Sequence, residues 1–331
     1  MRRKKIVVLG GGTGNFTVLS GLKKHGAHDI ELSAIVSVAD DGGSSGELRD
    51  EYGILPPGDL VQCLIAMSAA SDKTRQLFQY RFARGSLKGH RVGNLLLTGA
   101  FESEGDRLQA IKLLQDVLQV HGRVIPVSIR EARLFAELAN GQVLQGEHVI
   151  DQAVNNRSPI RRCKLEVPIP ANPEALLAIT EADLIVLAPG DIYTSLAPVL
   201  LVEGITQALE KASAPIVQVV NLANKVGHTD GFSARRFCEE MNSYLCPRGI
   251  SHALVNTAKP SARILQRYTE AGDAVVKDDF VGEMPFSIVR ADLISDEIAE
   301  HVPGDALQRS LLRHDADKVS AALLQILRST C

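Results

Sequence analysis

Three features of this 331-residue sequence predict an α/β fold, a mostly parallel sheet with helices on both faces. The chain opens on a short unbroken apolar run, Ile6 to Leu9, that turns through glycines into a helical pattern. The order of apolar strand, polar loop and amphipathic helix returns three times after residue 180. Hydrophobic residues make up 45% of the chain, but aromatics only 4% and Trp none, so Leu, Val, Ile and Ala must fill the core. That is the usual filling of helices packed on a sheet.

The elements follow in chain order. "KIVVLGGGTGNFTVLSGLKKHG" reads strand, glycine turn, helix: the apolar run suits a strand buried on both faces, Leu19 and Leu22 share a helical face, and Gly26 suits a stop. "IELSAIVSVADD" is the next strand, which makes a parallel βαβ unit. "GDLVQCLIAMSAAS" is a helix for which Asp59 is the expected cap. "DKTRQLFQYRFARGSLKGHRVGNLLLTGAF" reads as a helix to about Arg84, a loop, and a helix from near Asn94. In "GDRLQAIKLLQDVLQVHG" Leu108, Ile111, Leu114 and Leu118 line one side of a helix. Residues 123–180 alternate, and "VIPVSI", "QVLQGEHVI" and "KLEVPI" are short strand candidates in a partly β insertion. Strand–loop–helix then recurs in "ADLIVLAPGDIYTSLAPVLLVEGITQALEKA", "PIVQVVNLANKVGHTDGFSARRFCEEMNSYL" and "ISHALVNTAKPSARILQRYTEAG". With no linker and no low-complexity tract, the expectation is one Rossmann-like domain over 1–331, with an irregular insertion around 123–180.

Charge and cysteines narrow the function. The 36 basic and 39 acidic residues give a net charge of −3, so no broad basic footprint for nucleic acid is present. Five cysteines without a CxxC argue against a disulfide framework or a zinc site and suit a reducing cytoplasm. The basic N-terminus is followed by too short an apolar run for a signal peptide, and no stretch is long enough to cross a membrane.

The chemistry concentrates in loops that follow strands. In "GGGTGN", Gly11, Gly12, Thr13 and Gly14 stand where loop N–H groups and a helix N-terminus face an anion. Asn15 holds the place of the third glycine of the dinucleotide fingerprint, and no Gly-Lys-Ser/Thr follows, so neither standard phosphate motif is present. In "VADDGGSSGELRDEYGILPPGDL", Asp40 and Asp41 are candidates for ribose hydroxyls or for a Mg2+ between phosphates, Ser44 and Ser45 add hydroxyls, and Arg49 is a phosphate candidate. "APGDIYTS" offers Gly190, Asp191, Tyr193, Thr194 and Ser195. "NLANKVGHTDGFS" offers Asn221, Asn224, Lys225, Thr229 and Asp230. Ligands of open parallel sheets bind beyond the carboxyl ends of the strands, so these four loops should converge on one crevice.

The stretches "GGGTGNFTVLSGL", "VADDGGSSGELRDEYGILPPGDL", "GNLLL", "APGDIYTSLAP", "GHTDGF" and "LLRHDADKV" resemble the YvcK-like gluconeogenesis factor family, relatives of the CofD-like 2-phospho-L-lactate transferases. They run from residue 10 to 319. The resemblance implies a Rossmann-like fold, binding of a UDP-sugar of the N-acetylglucosamine type, and a cytoplasmic role in carbon metabolism and cell-shape or envelope control. It also adds Tyr268, as a ring for the base, and Arg313, as a guanidinium for the pyrophosphate. Where the family usually reads Thr-Gln-Pro-Gly-Glu-Thr-Asp, this chain reads "NKVGHTD".

Two functions stay open at this point. One is a UDP-sugar-binding regulator without turnover, since no nucleophile stands beside a base in the sequence. The other is a Mg-dependent phosphotransferase like the transferase relatives, in which positioning and charge neutralisation do most of the catalysis. Mg2+ is the one candidate cofactor, and a homo-oligomer and a regulatory protein are the candidate macromolecular partners.

Overall fold

The computed structural model describes residues 2–26, 29–152, 158–271, 274–295 and 312–330. β1 (Lys4–Gly10), α1 (Gly12–Gly26) and β2 (Ile30–Val36) form the first parallel unit. Helices α2 (Gly43–Tyr52), α3 (Pro57–Met67), α4 (Asp72–Gln79), α5 (Val92–Glu104) and α6 (Arg107–Val117) lead to β3 (Arg123–Pro126). Then come β4 (Leu134–Leu138), β5 (Val143–Gln145), the short α7 (Glu147–Asp151) and β6 (Ile160–Leu165). α8 (Pro173–Thr180) returns the chain to β7 (Leu184–Leu187). A π-helical turn (Ile192–Leu196), α9 (Ala197–Leu200) and α10 (Ile205–Lys211) precede β8 (Ile216–Val219). α11 (Ala234–Leu245), β9 (His252–Asn256), α12 (Ala262–Ala271), β10 (Ser287–Ala291) and α13 (Ala316–Ser329) complete the described chain.

Seven parallel strands make the main sheet, in the order β10-β9-β8-β7-β1-β2-β3. Every residue of β7 and β8 is buried, as is Ile6–Gly10 of β1, because helices cover both faces. α1 packs against α3 and α13 in one layer, and α10 packs against α8, α9 and α11 in the other. Strand order reverses between β1 and β7, which puts a crevice beyond their carboxyl ends. Among the described residues, no helix is long and apolar enough to cross a membrane.

The sequence expectations need four corrections. The stretch 43–52 is a helix rather than a loop, so Ser44, Ser45 and Arg49 are helical positions. The helix after Asp72 ends at Gln79, and the following residues double back so that Arg81 bridges Arg91. The insertion is smaller than 123–180. β3 is the edge of the main sheet and α8 a crossover helix, so only β4, β5 and β6 form the separate antiparallel sheet, in the order β5-β4-β6. Finally, Asp59 does not cap α3: Pro56 holds that position, and Asp59 lies inside the first turn.

Candidate functional site

The position of Asp59 alters the reading of the glycine loop. Asp59 and Gln62 stand one turn apart on α3 and so share a face. That face meets the N-terminus of α1, where the Gly12 N–H donates to the Asp59 carboxylate. A Cβ added at Gly11 would lie 3.1 Å from both Asp59 Oδ2 and Ser195 Oγ. One added at Gly12 would overlap Asp59 Oδ1 and stand 2.7 Å from Gln62 Nε2. These two glycines therefore admit a carboxylate of the protein itself. Gly14 has another role: a Cβ there would run into the Pro189 carbonyl, so it lets α1 approach the loop after β7. Thr13 is exposed, with its hydroxyl 3.3 Å from Gln62 Oε1.

Three carboxyls gather at this point. Asp40 accepts from the Gly42 N–H at 3.0 Å and from the Ser45 hydroxyl. Burial, and then the charge of Asp41, push its proton affinity up against those bonds. Asp59 is raised to about 7 by burial and by the charge of Asp40. Glu147, from the insertion, is raised well above the carboxylate range by burial and by Asp40, Asp151 and Asp59. All three side chains are only partly buried. Arg49 opposes the shift at Asp40 and Arg91 that at Asp59, yet all three carboxyls stay above their ordinary range.

Asp41 does not join them, although it is adjacent in sequence. Its Oδ1 accepts from the His148 N–H at 2.6 Å and its Oδ2 from the Glu147 N–H at 3.2 Å, which ties down the start of α7. Arg49 is buried, donates to Asp50 at 2.7 Å and stands 4.0 Å from Asp41, so it braces this corner and is not free for a phosphate. The far end of α7 is tied as well. Lys225 pairs with Asp151 and, at 3.5 Å, with Asp191. His228 meets Asp191 Oδ2 at 2.6 Å through Nδ1 and the Ile150 carbonyl at 2.7 Å through Nε2. Despite desolvation, the two cations hold Asp191 far below the carboxylate range, and its charge raises both of theirs. α7 is therefore a strap fastened to the loops after β2, β7 and β8.

The other expected residues divide. Asp191 accepts from the N–H groups of Tyr193 (2.9 Å) and Thr194 (3.0 Å), and Asn221 bridges to Gly190 in both directions at 2.8 and 3.3 Å, so these fix the loop beside the crevice. Tyr193 and Thr194 are buried, and the Tyr193 hydroxyl bonds to Glu240. The Thr229 hydroxyl accepts from the Lys225 N–H at 2.9 Å, and Asp230 accepts from the Gly227 N–H at 2.8 Å, so both close a turn. The Tyr268 ring is packed with Leu222, Ile264, Ile294 and Leu312, and its oxygen accepts from the Leu312 N–H at 2.8 Å. A ring so enclosed cannot stack on a base, which corrects that expectation. Arg313 is exposed, next to His314, whose ring lies 3.2 Å from the Val220 carbonyl just past β8. Sequence reasoning missed Asp59 and Glu147 as site residues. The Pro-Pro-Gly-Asp signature pointed to the first, and no local signal marks the second.

The donor set suits Mg2+ in one form only. Among the described residues, no three His, Cys, Asp or Glu side chains make a closed ligand set. Mg2+ commonly takes one or two carboxylates and completes its shell with water and phosphate oxygens. Asp40 and Asp59 fit that pattern, whereas Asp41, spent on the strap, does not.

Comparison with known proteins identifies the family. A family model described as 2-phospho-L-lactate transferase CofD matches residues 6–294. A putative gluconeogenesis factor of Thermotoga maritima is 38% identical over 324 residues, 98% of this chain and 99% of the relative. The gluconeogenesis factor of Halalkalibacterium halodurans is 38% identical over 98% of this chain and 97% of its own length. A crystal structure of a UPF0052 family member from Bacillus halodurans superimposes with a TM-score of 0.88 at 34% identity, covering 98% of this chain and 99% of that one. A parallel sheet with its crevice at the β1–β7 reversal and near-full-length relatives on both counts place this chain in the CofD family, among the gluconeogenesis factors.

Proposed function

We propose that this chain is a UDP-sugar-binding regulatory protein of the cytoplasm, acting in carbon metabolism and cell-shape control, and that a Mg2+ ion mediates the contact with the diphosphate. The observation that carries this reading is the group Asp40, Asp59 and Glu147 at the strand-order reversal. A diphosphate entering beside carboxylates is repelled unless a cation stands between them. Mg2+ on Asp40 and Asp59 would neutralise both. Gly11, Gly12, Ser45 and Ser195 would then border the ligand, and Arg313 would reach it from the β8 side.

Turnover has less support. Both ring nitrogens of His228 are engaged, and burial raises the thiols of Cys163 and Cys238 to about 12, so none of these is a ready base or nucleophile. The carboxyl group favours the second reading, a Mg-dependent phosphotransferase, because phosphoryl transfer needs positioned charge more than a nucleophile. A thermal-shift screen of UDP, GDP and ADP sugars with and without Mg2+ tests the first reading. A ligand at about 100 times its Kd should stabilise the fold by about 2.7 kcal/mol. No shift with any UDP-sugar refutes it, and nucleotide released on long incubation favours the phosphotransferase.

A further inference from the structure

Both ring nitrogens of His228 meet acceptors. Nδ1 lies 2.6 Å from Asp191 Oδ2, and Nε2 lies 2.7 Å from the Ile150 carbonyl. A carbonyl has no proton to give. Asp191 has none either: despite desolvation, the charges of His228 and Lys225 keep it ionised. Each contact therefore needs a proton on the ring, and the two together need an imidazolium. A neutral ring carries one proton only. Whichever nitrogen loses its proton, a lone pair then faces an acceptor, and the side chain has no exposed surface through which water could help.

The groups around the ring set the direction of its titration. Against desolvation, and against the charge of Lys225, the charge and hydrogen bond of Asp191 raise its proton affinity above the ordinary 6.5. Asp151 pairs with Lys225, and Glu147 acts on Lys225 through charge. Tyr193 sets its ring edge-on at 6.3 Å, and Asp230 is turned to the Gly227 N–H. The imidazolium is thus present at low pH and lost as pH climbs through the raised value. Its contact with Ile150 falls in the last turn of α7, while Asp41 holds the N–H groups of Glu147 and His148 in the first. A helix of five residues has too few bonds of its own to stand without such ties.

We propose that His228 is a positioning residue: while protonated on both ring nitrogens it clasps the last turn of α7 to the loops after β7 and β8, and so holds Glu147 at the crevice. When the ring gives a proton to solvent, one contact is lost, and α7 keeps only its ties at Asp41 and Lys225. Hydrogen exchange of residues 147–151 in the ligand-free protein tests this, read as protection factors so that the intrinsic rate cancels. Protection should fall about tenfold or more between about pH 6 and about pH 9. Nitrogen NMR shifts of the ring should show an imidazolium at the lower end and a neutral ring at the upper. In Asp191→Asn the amide oxygen keeps the Tyr193 and Thr194 N–H groups, its nitrogen donates to Nδ1, and the Nε2 proton stays on the Ile150 carbonyl. Both contacts then need no ring charge, so protection in this variant should no longer depend on pH. Glu147→Gln removes the raised carboxyl of the strap and should leave the pH dependence in place. Flat wild-type protection or a neutral ring at about pH 6 overturns the proposal. So does wild-type pH dependence in Asp191→Asn, or its loss in Glu147→Gln. That Glu147 stands beside a ligand rests on the function proposed above. UDP-N-acetylglucosamine with Mg2+ should therefore restore protection across 147–151 at about pH 9, and bound ligand that leaves protection low overturns the part of the clasp in binding. Absence of any binding refutes that function instead, and the exchange results on the free protein stand apart from it.

Discussion

Asn in place of Asp59 should make the protein more stable and less able to bind its ligand. The carboxyl of Asp59 titrates near 7 when folded, against 3.8 ordinarily, because burial and Asp40 oppose its charge. Below pH 4 the folded and unfolded chains both hold the proton, and the site costs nothing. As pH rises towards 7 the unfolded chain releases the proton and the folded chain retains it, so stability falls throughout that interval. Above 7 the loss is complete. About 3 units at ~1.4 kcal/mol each give ~4 kcal/mol as an upper bound. Asp59→Asn keeps an oxygen for the Gly12 N–H and removes the charge. Urea unfolding in metal-free buffer should therefore show the variant more stable at pH 8, by up to ~4 kcal/mol, with the difference closing towards pH 4. The same variant should lose Mg2+-dependent binding. A difference that is constant with pH, or a less stable variant at pH 8, would refute the assignment of Asp59 as an electrostatically strained site residue.

Asp41→Asn removes the charged acceptor of the Glu147 and His148 N–H groups. It should cost about 1–2 kcal/mol and speed hydrogen exchange in residues 147–151, while Mg2+ dependence survives. Gly12→Ala should displace the Asp59 side chain and weaken nucleotide binding in a folded protein. Gly14→Ala, which meets the Pro189 carbonyl, should instead lower the melting temperature, since overpacking costs about 1–3 kcal/mol. Tyr268→Phe should lose about 1 kcal/mol of stability with the Leu312 hydrogen bond and leave UDP affinity unchanged, which titration calorimetry checks. Arg313→Ala should weaken UDP and UDP-sugar alike, by roughly ten- to a hundredfold, if its guanidinium bonds the diphosphate.

The fold was readable because burial leaves local marks. The apolar run at Ile6 to Leu9 and the "LIVL" of β7 are buried strands whatever surrounds them. Glycines and polar residues just after them located the crevice loops. The insertion was less readable: β4, "LFAEL", alternates weakly, and β5 has only three residues. The site divided along the same line. Asp40 stands out as a candidate from its place after β2. The neighbouring Asp41 could not be told apart in sequence, because its partners on α7 lie more than 100 positions away. Glu147 enters through that same long-range contact. Tyr268 is the opposite case, since its packing partner Leu312 is distant in sequence and nothing local shows the ring to be enclosed.

Titration of UDP-N-acetylglucosamine into the protein, with Mg2+ and then with a chelator, tests the central claim most directly. Saturable binding at one site per chain is expected with Mg2+, weakened about tenfold or more when the metal is removed. The Asp40→Asn, Asp59→Asn double variant should show the weak affinity under both conditions. Equal affinity with and without metal, together with wild-type binding by the double variant, would contradict a metal-bridged diphosphate on these two carboxylates.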